Sequence, residues 1–161
     1  MTMNNDLIQI IDRTALIENL LNQVIEKYCS PRKEALQFFW EVVLDSSIMR
    51  LGAKIKVAMA ISQKLNVKLA KNSLHELVSY RNAFAHHSLD SHPILVVGKT
   101  PDQDETRNML HIIRSSGETD RKHRDTALRE FMNAYEEGKK SLVDLLNAVK
   151  AGRQKTGHAA P

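Results

Sequence analysis

Arg81 is the residue of this sequence whose position most strongly suggests chemistry. On a helical wheel its guanidinium falls within the apolar stripe of a predicted helix, where burial is expected. A permanent charge in a dry core is costly unless it is compensated. Arg81 must therefore reach solvent, pair with a carboxylate such as Glu41 or Asp45, or line a pocket that receives an anion.

A polar neighbour and a histidine accompany Arg81. The string Leu77-Val78-Ser79-Tyr80-Arg81-Asn82, continuing to Ala85-His86-His87, resembles the R-x4-6-H motif of the HEPN superfamily, in which a polar residue such as Asn82 follows the arginine. That superfamily consists of compact helical bundles and includes metal-independent RNases of toxin-antitoxin, abortive-infection and CRISPR systems. The segment is also similar to part of the mannitol-operon repressor family, in which an amphipathic helix comparable to residues 51–56 precedes it.

The HEPN resemblance implies a metal-independent RNA endonuclease, a hydrolase from a toxin or phage-defence setting that needs no cofactor. Such cleavage requires a base for the 2′-hydroxyl, an acid for the 5′-oxygen and a cation at the attacked phosphate. His86 is then the base or acid, Arg81 holds the phosphate, and Asn82 orients the phosphate or the imidazole. The repressor resemblance implies instead a non-catalytic regulatory protein. A structural dimerisation module with Arg81 in an ion pair is the third possibility.

Arg81 and His86 lie about 140° apart on a continuous helix, so they do not share one face. Either the helix ends near Ala85 and His86 turns back, or a two-fold partner contributes a second pair of residues. The HEPN resemblance likewise implies a site between two subunits. We therefore expect a homodimer that binds RNA, with a neutralising antitoxin or a regulatory protein as a further candidate partner.

A basic block without acidic residues extends from Ser46 to His75. If one helix continued through it, five of its cations would fall within about 100° of one another, as a stripe that tracks a nucleic-acid backbone requires. A solvated basic face is the alternative, and Asn66 is a point where the helix can break. We predict RNA binding by Lys54, Lys64, Lys68 and Lys71.

The remaining signals exclude several classes of protein. His86, His87 and His92 do not predict a metal site, because adjacent histidines diverge on a helix and no cysteine lies nearby. Cys29 is the only cysteine, which excludes an internal disulfide and fits a reducing compartment. No segment has the roughly 18 apolar residues of a membrane span, and no signal-peptide pattern is present. A cytoplasmic protein with no membrane partner is expected.

The scaffold for these residues is predicted to be helical. A chain of 161 residues with 42% hydrophobic and 26% charged residues fits one domain with one core. Six glycines and four prolines disfavour a turn-dense β-sandwich. We predict an all-α bundle of about five helices with a small β-hairpin inserted after the fourth helix. A single HEPN-like domain is expected over residues 1–151, and a disordered basic tail over residues 152–161.

The individual elements follow from caps and periodicity. Apolar residues on nearly all sides after Pro31 predict a central second helix. A third, amphipathic helix leads to Asn66, and a capping box of Ser73 and Glu76 opens the fourth helix, which carries Arg81. Residues 94–97 and 109–114 are predicted strands joined by a long mobile loop over residues 98–108. The last helix is expected from about Lys122.

Overall fold

The computed structural model describes residues 3–87, 93–96, 105–114 and 116–156. Within these ranges the helices are α1 (Met3–Cys29), α2 (Leu36–Phe38), α3 (Leu51–Leu65), α4 (Lys71–His87) and α5 (Arg124–Thr156). The strands are β1 (Pro93–Val96), β2 (Glu105–Ile113) and β3 (Thr119–His123). The predicted helical bundle with a β-hairpin after the helix that carries Arg81 is confirmed.

The core lies between the long helices. The helix α5 packs against both α1 and α4, and α3 packs on α1 and α4. The fully buried side chains include Ile17, Leu21, Leu74, Phe131 and Tyr135. Gly138 permits a close approach, since a Cβ at this position would lie 2.9 Å from Cδ2 of Leu74. None of the helices in the described residues is long and apolar enough to cross a bilayer.

The segment after α1 is not the central helix that its apolar composition predicts. It consists of a 3₁₀ turn at Lys33–Ala35, the single turn α2 and a π turn at Phe39–Val43, and none of these contains a buried residue. Phe38 is 60% exposed, whereas Leu44, directly after the π turn, is 1% exposed. The hydrogen-bond pattern changes at each turn, so no continuous apolar face forms and the segment lies at the surface.

The hairpin is larger than predicted. Its strand β1 pairs with the first half of β2, with Pro93 opposite Asn108, and β3 pairs with the second half, with Met109 opposite His123. Residues 105–108 are therefore strand and not loop, and the rest of the predicted loop lies outside the described residues. The strand β3 has no apolar side chain in its sequence and delays the start of α5 to Arg124.

Several predicted boundaries change. Asn66 ends α3 with a left-handed backbone, φ 53°, which confirms the predicted break. The capping box is wrong, because Ser73 lies inside α4 and its hydroxyl donates to Oε2 of Glu137 at 2.7 Å. The tail prediction begins too early, because α5 continues through Gly152 to Thr156. Residues 157–161 lie outside the described residues.

A polar cluster attaches α4 to the sheet and to α5. The hydroxyl of Tyr80, a residue that is 1% exposed, donates to Oε2 of Glu130. Lys122 on β3 donates to the same oxygen at 2.5 Å. Burial, together with the Glu130 carboxylate, raises the pKa of Tyr80 to about 12. The neutral phenol is therefore the form that the fold stabilises.

This cluster predicts a loss of stability at alkaline pH. The pKa of Tyr80 is about 12 in the folded chain and about 10 in an unfolded one. Its contribution to the free energy of unfolding is therefore complete below pH 10 and lost as the pH rises toward 12. Lys122, whose pKa is also raised, acts in the same direction. Tyr80→Phe should make the decline between pH 10 and 12 shallower by about 2 kcal/mol in urea titrations.

Tyr28 is an exposed tyrosine and provides the matched control. The free energy of unfolding of Tyr28→Phe should fall with rising pH in the same way as that of the wild-type protein. If the free energy of unfolding falls equally steeply for wild type and Tyr80→Phe between pH 10 and 12, Tyr80 does not cause the loss of stability.

Candidate functional site

Arg81 lies on an exposed face of α4, so the prediction that its guanidinium points into the core is wrong. The core side of this helix is centred on Leu77, Tyr80 and Phe84, all buried. Tyr80 is about 100° from Arg81 around the helix, and its burial turns the core face away from the arginine. Arg81 therefore lies at the edge of the apolar stripe, and Nη1 donates to Oδ1 of Asn82 at 3.1 Å.

The two carboxylates suggested as partners of Arg81 have other hydrogen bonds. Glu41 accepts from Gln37 at 3.0 Å, and Asp45 accepts from the Ser47 amide at 2.8 Å. The positive charge of Arg81 instead acts on Glu18 of α1, where it favours the ionised carboxylate and helps to lower its pKa. Arg81 is accordingly exposed to a ligand and not held in the core by a buried ion pair.

A cleft of about 910 Å³ lies beside Arg81 and is formed by α1, the start of α3 and α4; we call it the arginine cleft. Its lining residues are Thr14, Glu18, Ser46, Arg50, Leu51, Gly52, Ala53, Lys56, His75, Val78, Arg81 and Asn82. Arg50, Lys56 and Arg81 bring three positive charges to its wall against the one carboxylate of Glu18. The wall of this cleft therefore attracts anions.

The Glu18 charge is already compensated from inside the protein. Lys54 is 0% exposed, and its Nζ donates to Oε1 of Glu18 at 2.5 Å. The Ser46 hydroxyl donates to the same oxygen at 2.7 Å. Partial burial opposes ionisation, but these hydrogen bonds and the charges of Lys54 and Arg81 outweigh it and lower the pKa of Glu18. The carboxylate thus stays ionised and paired at neutral pH.

This ion pair overturns one predicted RNA-binding residue. Lys54 lies on the core side of α3 with Ala58 and Ile61, so its ammonium cannot reach a phosphate in solvent. The helix also ends at Leu65, and the continuous basic stripe predicted through Lys68 and Lys71 does not form.

The other predicted lysines are exposed. Lys64 is on the last turn of α3, Lys68 lies in the connection to α4, and Lys71 begins α4. Lys71 precedes His75 of the arginine cleft by one helical turn and shares its side of the helix. RNA binding by Lys64, Lys68 and Lys71 stays a prediction, with Lys71 the best placed to extend the cleft.

His86 lines a second cleft of about 370 Å³, which we call the histidine cleft. Its walls comprise Ser79, Asn82, Ala83, His86, His111 and Ile113, from α4 and β2. Because α4 continues to His87, the alternative in which the helix ends near Ala85 is wrong. Arg81 and His86 remain about 140° apart. Asn82 lines both clefts and is the junction between them.

The structure adds four residues that the motif does not contain: Arg50, Lys56, His75 and His111. Arg50 and Lys56 belong to the predicted basic block, but only the packing of α3 on α4 shows that they share a cleft with Arg81. His111 follows from the alternation in β2, because Leu110 and Ile112 are buried and His111, between them, is exposed. Within the described residues, no three His, Cys, Asp or Glu side chains group as metal ligands.

Comparison of the chain with family models, with curated proteins and with solved structures found no match. The residues of the two clefts are therefore the basis on which a function can be assigned.

The buried ion pair generates a prediction about stability. Glu18→Ala leaves the Lys54 ammonium buried without its carboxylate and should lower the free energy of unfolding by about 3 kcal/mol. The double variant Glu18→Gln with Lys54→Met removes both charges and should stay within about 1 kcal/mol of wild type. Urea denaturation at pH 7 measures both. Glu34, exposed on the 3₁₀ turn, provides the control, and equal effects of Glu18→Ala and Glu34→Ala would contradict the prediction.

Proposed function

We propose that the protein is a metal-independent RNA endonuclease of the HEPN type that acts as a cytoplasmic homodimer in a toxin or phage-defence setting. The observation that carries the proposal is the charge of the arginine cleft. Three cationic side chains line it, and the charge of its one carboxylate, Glu18, is compensated by the buried Lys54. The exposed His86 follows on the same helix. The residues proposed for phosphate binding and for proton transfer, two requirements of RNA cleavage, are thus both carried by α4.

The charge of the arginine cleft suits a polyanion. Lys54 neutralises Glu18, so Arg50, Lys56 and Arg81 leave a net positive charge at the wall. A nucleic-acid backbone that enters the cleft releases its counterions and gains affinity in this way. Arg81 is exposed and its planar guanidinium can hold a phosphate through two parallel hydrogen bonds.

A second copy of the chain is part of the proposal because the motif residues diverge. Because α4 is continuous to His87, Arg81 and His86 of one subunit cannot both contact the same phosphate group. A two-fold mate would bring a second arginine to the first histidine. Two arginines that approach each other repel unless an anion lies between them, which makes such a seam a phosphate site.

Cleavage can be tested with purified protein and single-stranded RNA in excess chelator. The expected products end in a 2′,3′-cyclic phosphate. His86→Ala and Arg81→Ala should each lower the cleavage rate by about 10²- to 10⁴-fold, because one removes proton transfer and the other a phosphate contact. Both side chains are exposed, so the free energy of unfolding should change by less than about 0.5 kcal/mol.

His123→Ala and Arg129→Ala are matched controls, since both residues lie outside the residues that line the two clefts. They should cleave as wild type does. Intact RNA, cleavage that chelator abolishes, or a fully active His86→Ala variant would each refute the endonuclease. Growth arrest on expression of the chain, relieved by His86→Ala, is the expected cellular counterpart.

A non-catalytic, nucleic-acid-binding regulator is the second candidate. The observation that favours it is the separation of Arg81 and His86 into two clefts, because phosphate binding in the arginine cleft does not require the imidazole. A regulator of this kind would bind RNA or DNA as tightly after His86→Ala as before.

Both candidates require the nucleic-acid backbone to contact Arg50 and Lys56. On a His86→Ala background, the slope of log K against log salt concentration for RNA should fall by about 0.7 for Arg50→Ala and for Lys56→Ala. Fluorescence anisotropy at several salt concentrations gives these slopes. Lys140→Ala, an exposed change on α5, should leave the slope as it is. If neither Arg50→Ala nor Lys56→Ala changes the salt-dependence slope, the RNA backbone does not contact the arginine cleft.

A further inference from the structure

The histidine cleft contains two imidazoles from different elements. His86 comes from the last turn of α4 and His111 from the half of β2 that pairs with β3, and both are exposed. Asn82 and Ser79 complete the polar part of the lining, and Ala83 and Ile113 form the apolar part. Two imidazoles, the side-chain groups that most often serve in general acid–base catalysis, therefore face one small volume.

The position of His111 is fixed by its neighbours in the strand. Leu110 and Ile112 are 3% and 1% exposed and hold β2 against the bundle. On the partner strand β3, Arg121 lies opposite His111 in the antiparallel register. Since side chains alternate along a strand, burial of both neighbours places His111 on the opposite, exposed face of β2, where it lines the histidine cleft together with residues of α4. The imidazole is thus supported by a sheet and not by a loop.

We propose that His111 is the second proton-transfer residue of RNA cleavage and acts with His86 on one phosphodiester. This inference rests on the endonuclease proposed above. One imidazole, in its neutral form, takes the proton from the 2′-hydroxyl as the 2′-oxygen forms a bond to phosphorus. The other, in its protonated form, donates a proton to the 5′-oxygen as the bond from phosphorus to that oxygen breaks. The products are a 2′,3′-cyclic phosphate and a free 5′-hydroxyl, and one proton has been gained and one released by the enzyme.

The need for two groups follows from the reaction itself. The attacking and leaving oxygens lie on opposite sides of the phosphorus, and both proton transfers belong to the same step. A lone His86 can serve only one of them. Of the other described histidines, His75 lines the arginine cleft, and His123 faces Asp125 with 3.8 Å between Nδ1 and Oδ2. Among the histidines whose side chains the structure describes, His111 is the one that lines the same cleft as His86.

Asn82 connects this pair to the phosphate-binding cations. It lines both clefts and accepts a hydrogen bond from Arg81. An RNA strand that crosses from the arginine cleft to the histidine cleft passes this side chain. One phosphate of the strand then lies at the Arg81 guanidinium, and a neighbouring phosphate, the one that reacts, lies at the two imidazoles.

Two substrates that differ in leaving group test the division of roles. On a ribodinucleotide, His86→Ala and His111→Ala should each lower kcat by about 10²- to 10⁴-fold. The 4-nitrophenyl ester of a ribonucleoside 3′-phosphate releases an anion that needs no proton. On this ester, the variant that lacks the acid should recover to within about tenfold of wild type, and the variant that lacks the base should stay slow.

His111→Gln is a second variant, and it retains polar character at the strand surface. Thermal unfolding by circular dichroism verifies that both His111 variants fold, and His123→Ala should match wild type on both substrates. A His111→Ala variant with kcat within about threefold of wild type on the dinucleotide, alongside an inactive His86→Ala, overturns the inference and leaves the endonuclease intact. Equal losses of both variants on both substrates also overturn it. A wild-type protein that cleaves neither substrate ends the proposed function and this inference together.

Discussion

The ion pair between Lys54 and Glu18 is the interaction on which the candidate site depends. A fully buried ammonium requires a carboxylate, and the 2.5 Å contact joins α3 to α1 through Glu18, which lines the arginine cleft. Besides joining the two helices, the ion pair changes the electrostatics of the cleft. Because the buried lysine compensates Glu18, the cations at the cleft wall have no free negative charge to neutralise them, and the cleft attracts an external anion.

A second constraint is the rotation of α4 about its axis. Burial of Tyr80 and its hydrogen bond to Glu130 fix which side of the helix faces the core. Lys122 holds the same carboxylate from β3, so the sheet and α5 fix that rotation together. Once the rotation is set, Arg81 must face the arginine cleft and His86 must face the sheet, because a helix that continues to His87 separates them by about 140°. The division of the site into two clefts thus follows from core packing.

The sequence was a good guide where a pattern is repeated many times, as in α3 and α5, and where local conformation decides, as at Asn66. It failed where the outcome depends on a partner far along the chain. Tyr80 has both an apolar ring and a hydroxyl, so only the position of Glu130 reveals that it, and not Arg81, belongs to the core. Lys54 looks like one more cation of a basic block until Glu18 is placed beside it.

The same reason explains the errors in the elements. Residues after Pro31 are apolar enough for a buried helix, but α1 and α5 pack directly against each other, and the segment over residues 33–43 contributes no buried residue. The strand β3 has no apolar side chain and exists because β2 offers a free edge. Local sequence records the preference of a segment, whereas its final position depends on which neighbours have room for it.

The arrangement of two clefts around Asn82 also bears on what kind of ligand would be used. A mononucleotide carries a single phosphate group, and if that group lies in the arginine cleft no phosphate is left for the imidazoles of the histidine cleft. A polymer gains both, since phosphates recur along its backbone and several can be held at once. Binding energy from phosphates beyond the reacting one can then be used to position the bond at His86 and His111. If the protein is the proposed endonuclease, the separation of Arg81 and His86 into two clefts therefore favours a nucleic-acid strand over a small nucleotide as the substrate.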